Sequence, residues 1–509
     1  MDVVQEAPRG LHNFRHHIDG QDVDSANGET FESINPTTGQ KWGSFSAGGR
    51  EDVARAVAAA QSALAGPWGK LSPTKRGRLL MRWADVMLAH SESIAEMETA
   101  QNGKLLAETS GQAKAVPDWL YYFGGLADKI EGAVVPLESS SILNYTLREP
   151  LGVIGIITPW NSPSLLTIMS AAPALAAGNT LVIKPSEVAS ASVLEIARLA
   201  EISGIPHGVI NVVTGLRQAG EALVEHPGVA KIAFTGSVAA GRAVAERGGQ
   251  RLASCTLELG GKSPTIVFAD ADLKQAEAGI LGGIFAATGQ TCVAGSRAYI
   301  QRPVYDLLID GLVKRAKAII VGDPRKPRTQ MGPVATKEQL QKDERMVAQA
   351  IAAGAEVACG GTRSEMPEFP KGYFFEPTIL HRVQPANPIM RQEVFGPVLS
   401  VVPFEEEDEV VQLANDSEFG LAAGVWTLDV RRAHRMARVL QSGTVWINMY
   451  RALAFNSPFG GFKHSGIGTQ NGREAIYQYV RTKSVWCELS SEYKDAFKLS
   501  MESEDAAGL

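Results

Sequence analysis

The feature that most constrains the fold of this chain is a regular alternation of β-strands and α-helices that begins near residue 151. Short apolar runs rich in β-branched residues alternate with longer segments of helical periodicity. The pattern predicts strands at residues 152–158, 179–184, 209–213, 230–234 and 252–258, with helices between them. Because strand–helix–strand units of this kind form parallel pairs, we expect a doubly wound parallel sheet in an α/β domain.

A second series of strands and helices follows the first. Helices are predicted at 271–287 and 304–320, and strands at 263–268, 297–301, 372–380, 398–404, 421–427 and 443–448. We therefore expect a first domain over residues 1–129 and 149–258 and a second α/β domain over residues 259–470. Clefts between two domains are common places for two-substrate chemistry.

Three further stretches fall outside these domains. Residues 130–148 contain two extended segments with no helix between them, and such a hairpin needs a partner for its edges. Together with residues 471–490 they predict a small β oligomerisation arm. Residues 491–509 form a polar tail that is acidic near its end, a composition typical of disorder.

Polar or glycine-containing loops follow four of the first five predicted strands. They lie at 158–161, 184–187, 235–237 and at Glu258. Ligands bind beyond the carboxyl ends of parallel strands, so these loops are expected to form one binding mouth. The usual dinucleotide fingerprint, Gly-x-Gly-x-x-Gly, is absent. Ser237 and the free amides at a helix start can still bind a phosphate, although a plain helix cap is the simpler interpretation.

Two glycine-flanked residues have the chemistry for covalent catalysis. Cys292 follows Gly289, and Glu258 leads into Gly260 and Gly261. A cysteine thiolate is a soft nucleophile, and a glutamate can move a proton to or from water. A nucleophile and a base are the minimum for covalent catalysis at a carbonyl. Taken singly, each residue also fits a structural interpretation, as a buried thiol and as a strand-end carboxylate in an ion pair.

Composition argues against several classes of function. A net charge of −6 over 509 residues gives no reason to expect nucleic acid or an anionic membrane as a partner. The four cysteines have no close spacing, which argues against a disulfide framework or a zinc site, so no metal is expected. The first 20 residues lack the apolar core of a secretory signal, and no apolar run is long enough to span a bilayer. We therefore expect a cytoplasmic protein.

Seven short motifs occur in the order that is typical of the aldehyde dehydrogenase superfamily. They are Pro-Trp-Asn at 159–161, Lys-Pro-Ser-Glu at 184–187, Phe-Thr-Gly-Ser at 234–237, Leu-Glu-Leu-Gly-Gly-Lys at 257–262, Gly-Gln-Thr-Cys at 289–292, Glu-Val-Phe-Gly-Pro at 393–397 and Ser-Pro-Phe-Gly-Gly at 457–461. By these motifs the chain resembles the NAD(P)-dependent, hydrolytic, non-acylating branch of that superfamily. The resemblance implies a Rossmann-type cofactor domain, a second α/β catalytic domain and a small β arm for oligomerisation.

The resemblance implies a role for each member of the catalytic group. Cys292 would attack an aldehyde to give a thiohemiacetal, and hydride transfer to NAD would leave a thioester. The side-chain amide of Asn161 and the backbone N–H of Cys292 would form the oxyanion hole. Glu258 would activate the water that hydrolyses the thioester. Asn161 also fits a turn residue that precedes Pro163.

The resemblance also assigns residues to the cofactor. Lys184 and Glu187 would bind the adenine ribose, and the carboxylate of Glu187 would repel a 2′-phosphate, so NAD is favoured over NADP. Ser237 resembles the pyrophosphate ligand, while Glu393 and Phe395 resemble the residues at the nicotinamide ribose and ring. The full set of expected cofactor residues is Trp160, Lys184, Ser186, Glu187, Gly220, Phe234, Gly236, Ser237, Leu259, Glu393 and Phe395.

The resemblance implies a substrate tunnel lined by four residues, at positions that line the tunnel in relatives. These are Ser162, Met169, Leu453 and Phe459, a mix that favours a medium-sized apolar or aromatic aldehyde. Arg451 falls near the tunnel mouth, where it could meet an acidic or polar tail, although a solvated arginine is the simpler interpretation.

One position departs from the pattern of many relatives. Where they have a lysine nine positions after the motif asparagine, this chain has Ser170. That lysine is tied to proton relay from the glutamate, so the route of the proton out of this site is open. Glu474 resembles the other acid of the relay and is retained.

Two other functions stay open at this point. One is an acylating semialdehyde dehydrogenase that passes the thioester to coenzyme A, a branch that usually lacks the glutamate found here as Glu258. The other is a catalytically silent structural or binding protein on the same scaffold, against which the joint presence of Cys292, Glu258 and Asn161 argues. The expected partners are a small aldehyde and further copies of the chain, as a homodimer or homotetramer, with no nucleic acid and no membrane.

Overall fold

The computed structural model describes residues 12–491 and residue 497, so the predicted tail at 491–509 lies outside the described residues apart from its first residue and residue 497. The N-terminal segment holds five short strands and then five helices. The strands are β1 (His12–Phe14), β2 (His16–Ile18), β3 (Gln21–Val23), β4 (Thr30–Asn35) and β5 (Gln40–Ser46). The helices are α1 (Arg50–Ala65), α2 (Pro73–Ala89), α3 (Ser91–Asn102), α4 (Leu106–Ala115) and α5 (Pro117–Leu126).

The strands and helices that follow build the first large sheet. Two extended segments come first, β6 (Val134–Val135) and β7 (Ile142–Pro150). The alternating series is then β8 (Val153–Thr158), α6 (Pro163–Ala176), β9 (Thr180–Pro185), α7 (Ala191–Ile202), β10 (Ile210–Val212), α8 (Arg217–Glu225), β11 (Val229–Thr235), α9 (Val238–Gln250) and β12 (Ser254–Glu258).

Strands β12, β11, β8, β9 and β10 lie side by side in that order and pair in parallel, as the sequence predicts. Helices α6 and α7 pack on one face of the sheet, and α1, α8 and α9 pack on the other. The chain runs outward from β8 to β10 and then returns across β8 to β11. The strand order therefore reverses between β8 and β11, which is the place where sheets of this kind open a ligand crevice.

The second series forms a seven-stranded sheet. Its elements are β13 (Pro264–Val267), α10 (Leu273–Phe285), a 3-10 turn (Ala286–Gly289), β14 (Arg297–Gln301), a 3-10 turn (Arg302–Val304), α11 (Tyr305–Lys317), α12 (Lys337–Ala352), β15 (Glu356–Cys359), β16 (Thr378–His381), α13 (Pro388–Arg391), β17 (Val398–Phe404), α14 (Glu407–Asn415), β18 (Phe419–Gly420), β19 (Ala422–Trp426), α15 (Val430–Val439) and β20 (Thr444–Ile447). The strand order is β15, β16, β17, β14, β13, β19, β20, and only the edge pair β15–β16 is antiparallel. Helices α10 and α11 cover one face, and α12, α14 and α15 cover the other.

Two strand predictions need correction. The strand expected at 372–380 is confined to β16, because Pro377 has no N–H to donate to a sheet ladder and pairing with β17 starts only after it. The first sheet has eight strands instead of five. Antiparallel β2 and β3 extend one edge, and β22 (Gly466–Ile467), which follows the short β21 (Phe462–Lys463), extends the other beside β12.

The last elements are a 3-10 segment (Arg473–Tyr479) and β23 (Val480–Glu488). Strand β23 pairs with the whole of β7, and β7 pairs with β6, which makes a three-stranded antiparallel sheet separate from the other two. This small sheet carries large exposed apolar side chains, with Val134 71% and Trp486 63% exposed. Among the described residues, no helix has the length and apolar character needed to cross a membrane.

Candidate active site

Cys292 is presented by a short, strained segment of backbone. Ala287 and Thr288 have φ values of 52° and 56°, and Gly289 has a φ of 71°. At Gly289 a side chain would also collide with the chain, because a Cβ built there lies 2.2 Å from the carbonyl oxygen of Gly396. Left-handed non-glycine residues are costly and collect at functional sites. This turn brings the half-buried Cys292 to a point where two cavities meet.

The cysteine rests as a thiol. Burial raises the pKa of Cys292 to about 12, and the negative charges of Glu258 and Glu393 contribute to the shift. The backbone N–H groups of Val293 and of Cys292 itself act in the opposite direction and lower the pKa. Attack on an electrophile therefore requires that the thiol proton leave during the reaction.

Glu258 ends β12 and lies in the cavity beside Cys292. The side chain is buried, and within the described part of the chain neither carboxylate oxygen has a hydrogen-bond partner. Burial raises the pKa of Glu258 well above its usual value. The alternative interpretation of Glu258 as a strand-end ion pair does not fit these contacts. The loop after Glu258 passes so close to the nucleophile that a Cβ on Gly261 would lie 2.5 Å from the carbonyl oxygen of Cys292.

Asn161 follows β8 and reaches the same point from the other side of the strand-order reversal. It is buried and lines both cavities that contain Cys292. Its side-chain Nδ2 donates to the carbonyl oxygen of Gln290 at 2.9 Å, which fixes the amide plane. An amide nitrogen carries two hydrogens, so one remains for a second acceptor.

A cavity of about 190 Å³ adjoins Cys292 on the side of the first sheet. Trp160 and Phe395 stand perpendicular to each other in its wall, with ring centroids 5.4 Å apart. Glu393 accepts a hydrogen bond from the N–H of Gly261 at 2.8 Å. Gln339 and Lys342 of α12 also line this cavity, and no short motif in the sequence marked them. The expected cofactor residues in this wall are Trp160, Gly236, Ser237, Leu259, Glu393 and Phe395.

A larger slot of about 450 Å³ lies between α8 and α9. Lys184, Gly220, Phe234 and Ser237 line it, as expected for cofactor residues. Ser186 and Glu187 lie outside its lining. Within the loop, the hydroxyl of Ser186 accepts from the N–H of Val188, and Glu187 accepts from Lys184 Nζ at 3.2 Å.

The two spaces fit a dinucleotide. Ser237 lines both of them and is the N-cap residue of α9, where its hydroxyl accepts from the N–H of Ala240 at 3.3 Å. The amides of a helix start favour a phosphate. The slot between α8 and α9, the start of α9 and the aromatic cavity thus form one path that ends at Cys292. Among the described residues, no group of three or more His, Cys, Asp or Glu side chains is arranged to hold a metal ion.

A third cavity, of about 200 Å³, reaches Cys292 from the opposite side. All four residues expected in the substrate tunnel, Ser162, Met169, Leu453 and Phe459, are in its wall. The sequence interpretation missed Lys104 and Gln112, which come from α3–α4 and therefore lie far from the catalytic motifs along the chain.

Arg451 also lines this cavity. It is only partly exposed, so the simpler expectation of a solvated arginine does not describe it.

The serine at the position of the common relay lysine has two neutral hydrogen-bond partners. Ser170 is buried and its hydroxyl accepts from Gln470 Nε2 at 3.0 Å. The hydroxyl of Tyr479 also hydrogen-bonds to Ser170. Glu474, the expected second acid, is exposed on the 3-10 segment. These contacts show no acidic side chain bonded to Ser170.

Comparison with known proteins agrees with this geometry. A family model described as "Aldehyde dehydrogenase family" matches residues 23–485. The chain is 41% identical over 476 residues to a putative aldehyde dehydrogenase, DhaS, of Bacillus subtilis, covering 93% of this chain and 95% of that protein. It is 42% identical over 474 residues to betaine aldehyde dehydrogenase of Mesorhizobium japonicum, covering 93% and 97%. The NAD+ complex of an aldehyde dehydrogenase from Bacillus cereus superimposes with a TM-score of 0.92 at 38% identity, covering 94% and 97%.

Proposed function

Since the chain belongs to the aldehyde dehydrogenase family, we propose that it oxidises an aldehyde to the carboxylic acid with NAD, through a thioester on Cys292 and with water as the final acyl acceptor. The observation that carries this proposal is the convergence of Cys292, Glu258 and Asn161 at the point where the dinucleotide path meets the third cavity. Acyl chemistry on sulfur requires a nucleophile, a base and an amide donor that surround one bound carbonyl group.

The first step is attack by the Cys292 sulfur on the aldehyde carbon. As the carbon–sulfur bond forms, the carbonyl oxygen gains negative charge. The free amide hydrogen of Asn161 and the backbone N–H of Cys292 then stabilise that charge, because they are fixed before it develops. The thiol must lose its proton in this step, and that proton leaves to solvent, so that Glu258 in the same cavity remains the base for the hydrolysis that follows.

NAD, when bound, supplies the acceptor for the hydride that leaves the former aldehyde carbon. In the path described above, Lys184 and Glu187 would hold the adenine ribose and Ser237 the pyrophosphate, while Glu393 and Phe395 would hold the nicotinamide end. The remaining expected residues, Trp160, Ser186, Gly220, Phe234, Gly236 and Leu259, would shape the walls of this path. The carboxylate of Glu187 favours ribose hydroxyls over a 2′-phosphate.

The second half of the reaction is hydrolysis of the thioester. Glu258 takes a proton from water as the water oxygen attacks the acyl carbon, and the Cys292 thiol leaves with a proton. The raised pKa of Glu258 gives the group the basicity that this step needs near neutral pH. The aldehyde end of the substrate lies against Met169 and Phe459, whose apolar side chains suit a hydrocarbon segment next to the carbonyl.

Domain roles and assembly follow the same scheme. Residues 1–129 and 149–258 would bind the cofactor, residues 259–470 would carry the nucleophile, and the sheet of β6, β7 and β23 would act as the arm of a homodimer or homotetramer. The exposed apolar side chains of that sheet support this, since an unpartnered apolar edge tends to pair. The four cysteines are free thiols, which suits the reducing cytoplasm.

The test is NADH formation from NAD and a panel of aldehydes, without coenzyme A, for the wild-type protein and Cys292→Ala. Steady turnover in the wild type and none in the variant supports hydrolytic oxidation on Cys292. Turnover only after coenzyme A is added would instead identify an acylating enzyme. Absence of NADH with every aldehyde, despite NAD binding, would identify a silent binding protein.

A further inference from the structure

The third cavity, where the aldehyde would bind, contains two basic side chains. Lys104 and Arg451 both line it, and of its lining residues, all of which the structure describes, none is acidic. Lys104 is buried, with 9% of its surface exposed. A cavity that needed only to hold a hydrocarbon would not require a buried ammonium group, because burying a charge costs free energy unless it is paired.

Lys104 is held by neutral acceptors. Its Nζ donates to the hydroxyl of Ser162 at 2.8 Å and to the side-chain oxygen of Gln112 at 3.2 Å. Burial lowers its pKa, and the charge of Arg451 adds to that lowering. The ammonium group is therefore fixed in direction by its hydrogen bonds and still lacks a counter-ion.

One oxygen of each of the two carboxylates that act on Lys104 is bonded to a backbone amide, and the other oxygen of Glu108 is buried without a hydrogen-bond partner. Glu98 accepts from the N–H of Ser164 at 2.9 Å, and Glu108 accepts from the N–H of Ala287 at 2.8 Å. Both act on Lys104 from a distance and raise its pKa, but by less than burial lowers it. Neither Lys104 nor Arg451 forms an ion pair with any residue between 12 and 491. By contrast, Lys184 does pair with Glu187 in the cofactor slot.

Arg451 is held in a strained position at the same wall. Its backbone has a φ of 64°, in the left-handed region that a non-glycine residue adopts only at a cost. The guanidinium Nη1 donates to the carbonyl oxygen of Gly282 at 3.1 Å, and burial lowers its pKa. A guanidinium has five N–H donors in a planar fork that matches a carboxylate, and this contact uses one of them.

We propose that the aldehyde carries a carboxylate at the end remote from the carbonyl, bound between Lys104 and Arg451. This inference rests on the function proposed above and names its substrate class, the ω-oxo acids. The carbonyl would lie at Cys292, the hydrocarbon segment would contact Met169 and Phe459, and the carboxylate would supply the missing counter-ion. A trimethylammonium aldehyde, the kind of substrate named for one relative, would place a third positive charge beside two others.

The first experiment compares kcat/KM for aldehydes of different charge, with pentanal matched to 5-oxopentanoate in chain length. The probes are 5-oxopentanoate, its methyl ester, pentanal and betaine aldehyde. We expect 5-oxopentanoate to exceed pentanal and the ester by about ten- to a hundredfold, the gain typical of charge-assisted hydrogen bonds. Betaine aldehyde should be the poorest of the four. Equal rates for pentanal and 5-oxopentanoate, or a preference for betaine aldehyde, would overturn the inference.

The second experiment removes the charge at Arg451. Arg451→Gln should lower kcat/KM for 5-oxopentanoate, mainly through KM, by about tenfold more than it lowers kcat/KM for pentanal. Arg438→Gln, at an exposed arginine of α15, is the matched control and should change neither substrate. An equal loss on both aldehydes in Arg451→Gln would mean a structural role for the arginine and would contradict the inference.

A binding measurement separates this inference from the reaction itself. Glutarate has the carboxylate and chain of 5-oxopentanoate but no aldehyde. It should raise the Tm of the wild-type protein and of Arg438→Gln, and have a smaller effect on Arg451→Gln and Lys104→Met. If pentanal is oxidised through Cys292 but glutarate has no effect on the wild type, only the substrate class is wrong. If no aldehyde is oxidised, the proposed function itself fails.

Discussion

Replacing Glu258 by glutamine should separate the two halves of the reaction. Glutamine has the shape of glutamate but cannot accept a proton. Acylation should still release about one NADH per active site in a rapid burst, because Cys292 and Asn161 are untouched. The later steady-state rate should fall by about 10²- to 10⁴-fold, the usual contribution of a general base. Stopped-flow absorbance of NADH, followed for many turnovers, measures both phases.

The same substitution should stabilise the protein at neutral pH. Both oxygens of Glu258 are buried without hydrogen-bond partners, and burial raises the pKa of Glu258 well above its usual value. The folded state therefore holds the proton more tightly than the unfolded state. The stability from that protonated carboxyl is present below the unfolded-state pKa and is lost as pH rises through the folded-state pKa. The stability of the Glu258→Gln variant does not change with the ionisation of this side chain, because glutamine does not titrate. The Tm of the variant should therefore exceed that of the wild type by more at pH 8 than at pH 4.

Two results would refute this reasoning. Loss of the burst with an unchanged steady-state rate would show that Glu258 acts before the thioester and not after it. A Tm difference between Glu258→Gln and the wild type that does not depend on pH would show that the carboxyl is not held neutral by burial. Calorimetry of both proteins across the pH range, without aldehyde, gives the second result independently of turnover.

Three further outcomes are expected. Cys292→Ala should abolish NADH formation and retain NAD binding, measured by titration calorimetry, because the cofactor contacts lie elsewhere; near-normal turnover would refute the covalent mechanism. NAD should be preferred over NADP by about ten- to a hundredfold in kcat/KM, and Glu187→Ser should narrow that ratio in initial-rate measurements; an unchanged ratio would show that Glu187, paired with Lys184 at 3.2 Å, does not set it. Gly289→Ala should lower the free energy of unfolding by about 1–3 kcal/mol or more, from the φ of 71° and the 2.2 Å approach to Gly396; an unchanged urea midpoint would contradict this.

Much of the first sheet could be predicted from the sequence because its signals are local. Strands β8 to β12 are short β-branched runs, and their ends carry the residues that meet at the site, including Asn161 and Glu258. The edge strands β2 and β22 could not be predicted in the same way. They are two or three residues long, and their place in the sheet is set by contacts with distant segments and not by their own pattern.

The substrate cavity shows the same limit more clearly. Ser162 and Met169 are close in sequence to the Asn161 motif, so resemblance could place them in the wall. Lys104 follows Gly103, whose φ of 75° ends α3, and only the packing of α3 against α4 and of α4 against α6 turns it toward Ser162. Its partner Arg451 reaches the same wall from a strained turn more than 300 residues away, which no local pattern encodes.

The measurement that tests the central claim most directly is the mass of the enzyme during turnover. Glu258→Gln mixed with NAD and pentanal, quenched in acid after the burst and digested, should yield the peptide that contains Cys292. The account predicts an adduct on that cysteine equal to the mass of the aldehyde less two hydrogen atoms, which is the acyl thioester. When NAD is omitted, it predicts no adduct, because the thiohemiacetal reverts to the thiol and the aldehyde on quenching. An unmodified Cys292 after a full burst of NADH would contradict the covalent mechanism.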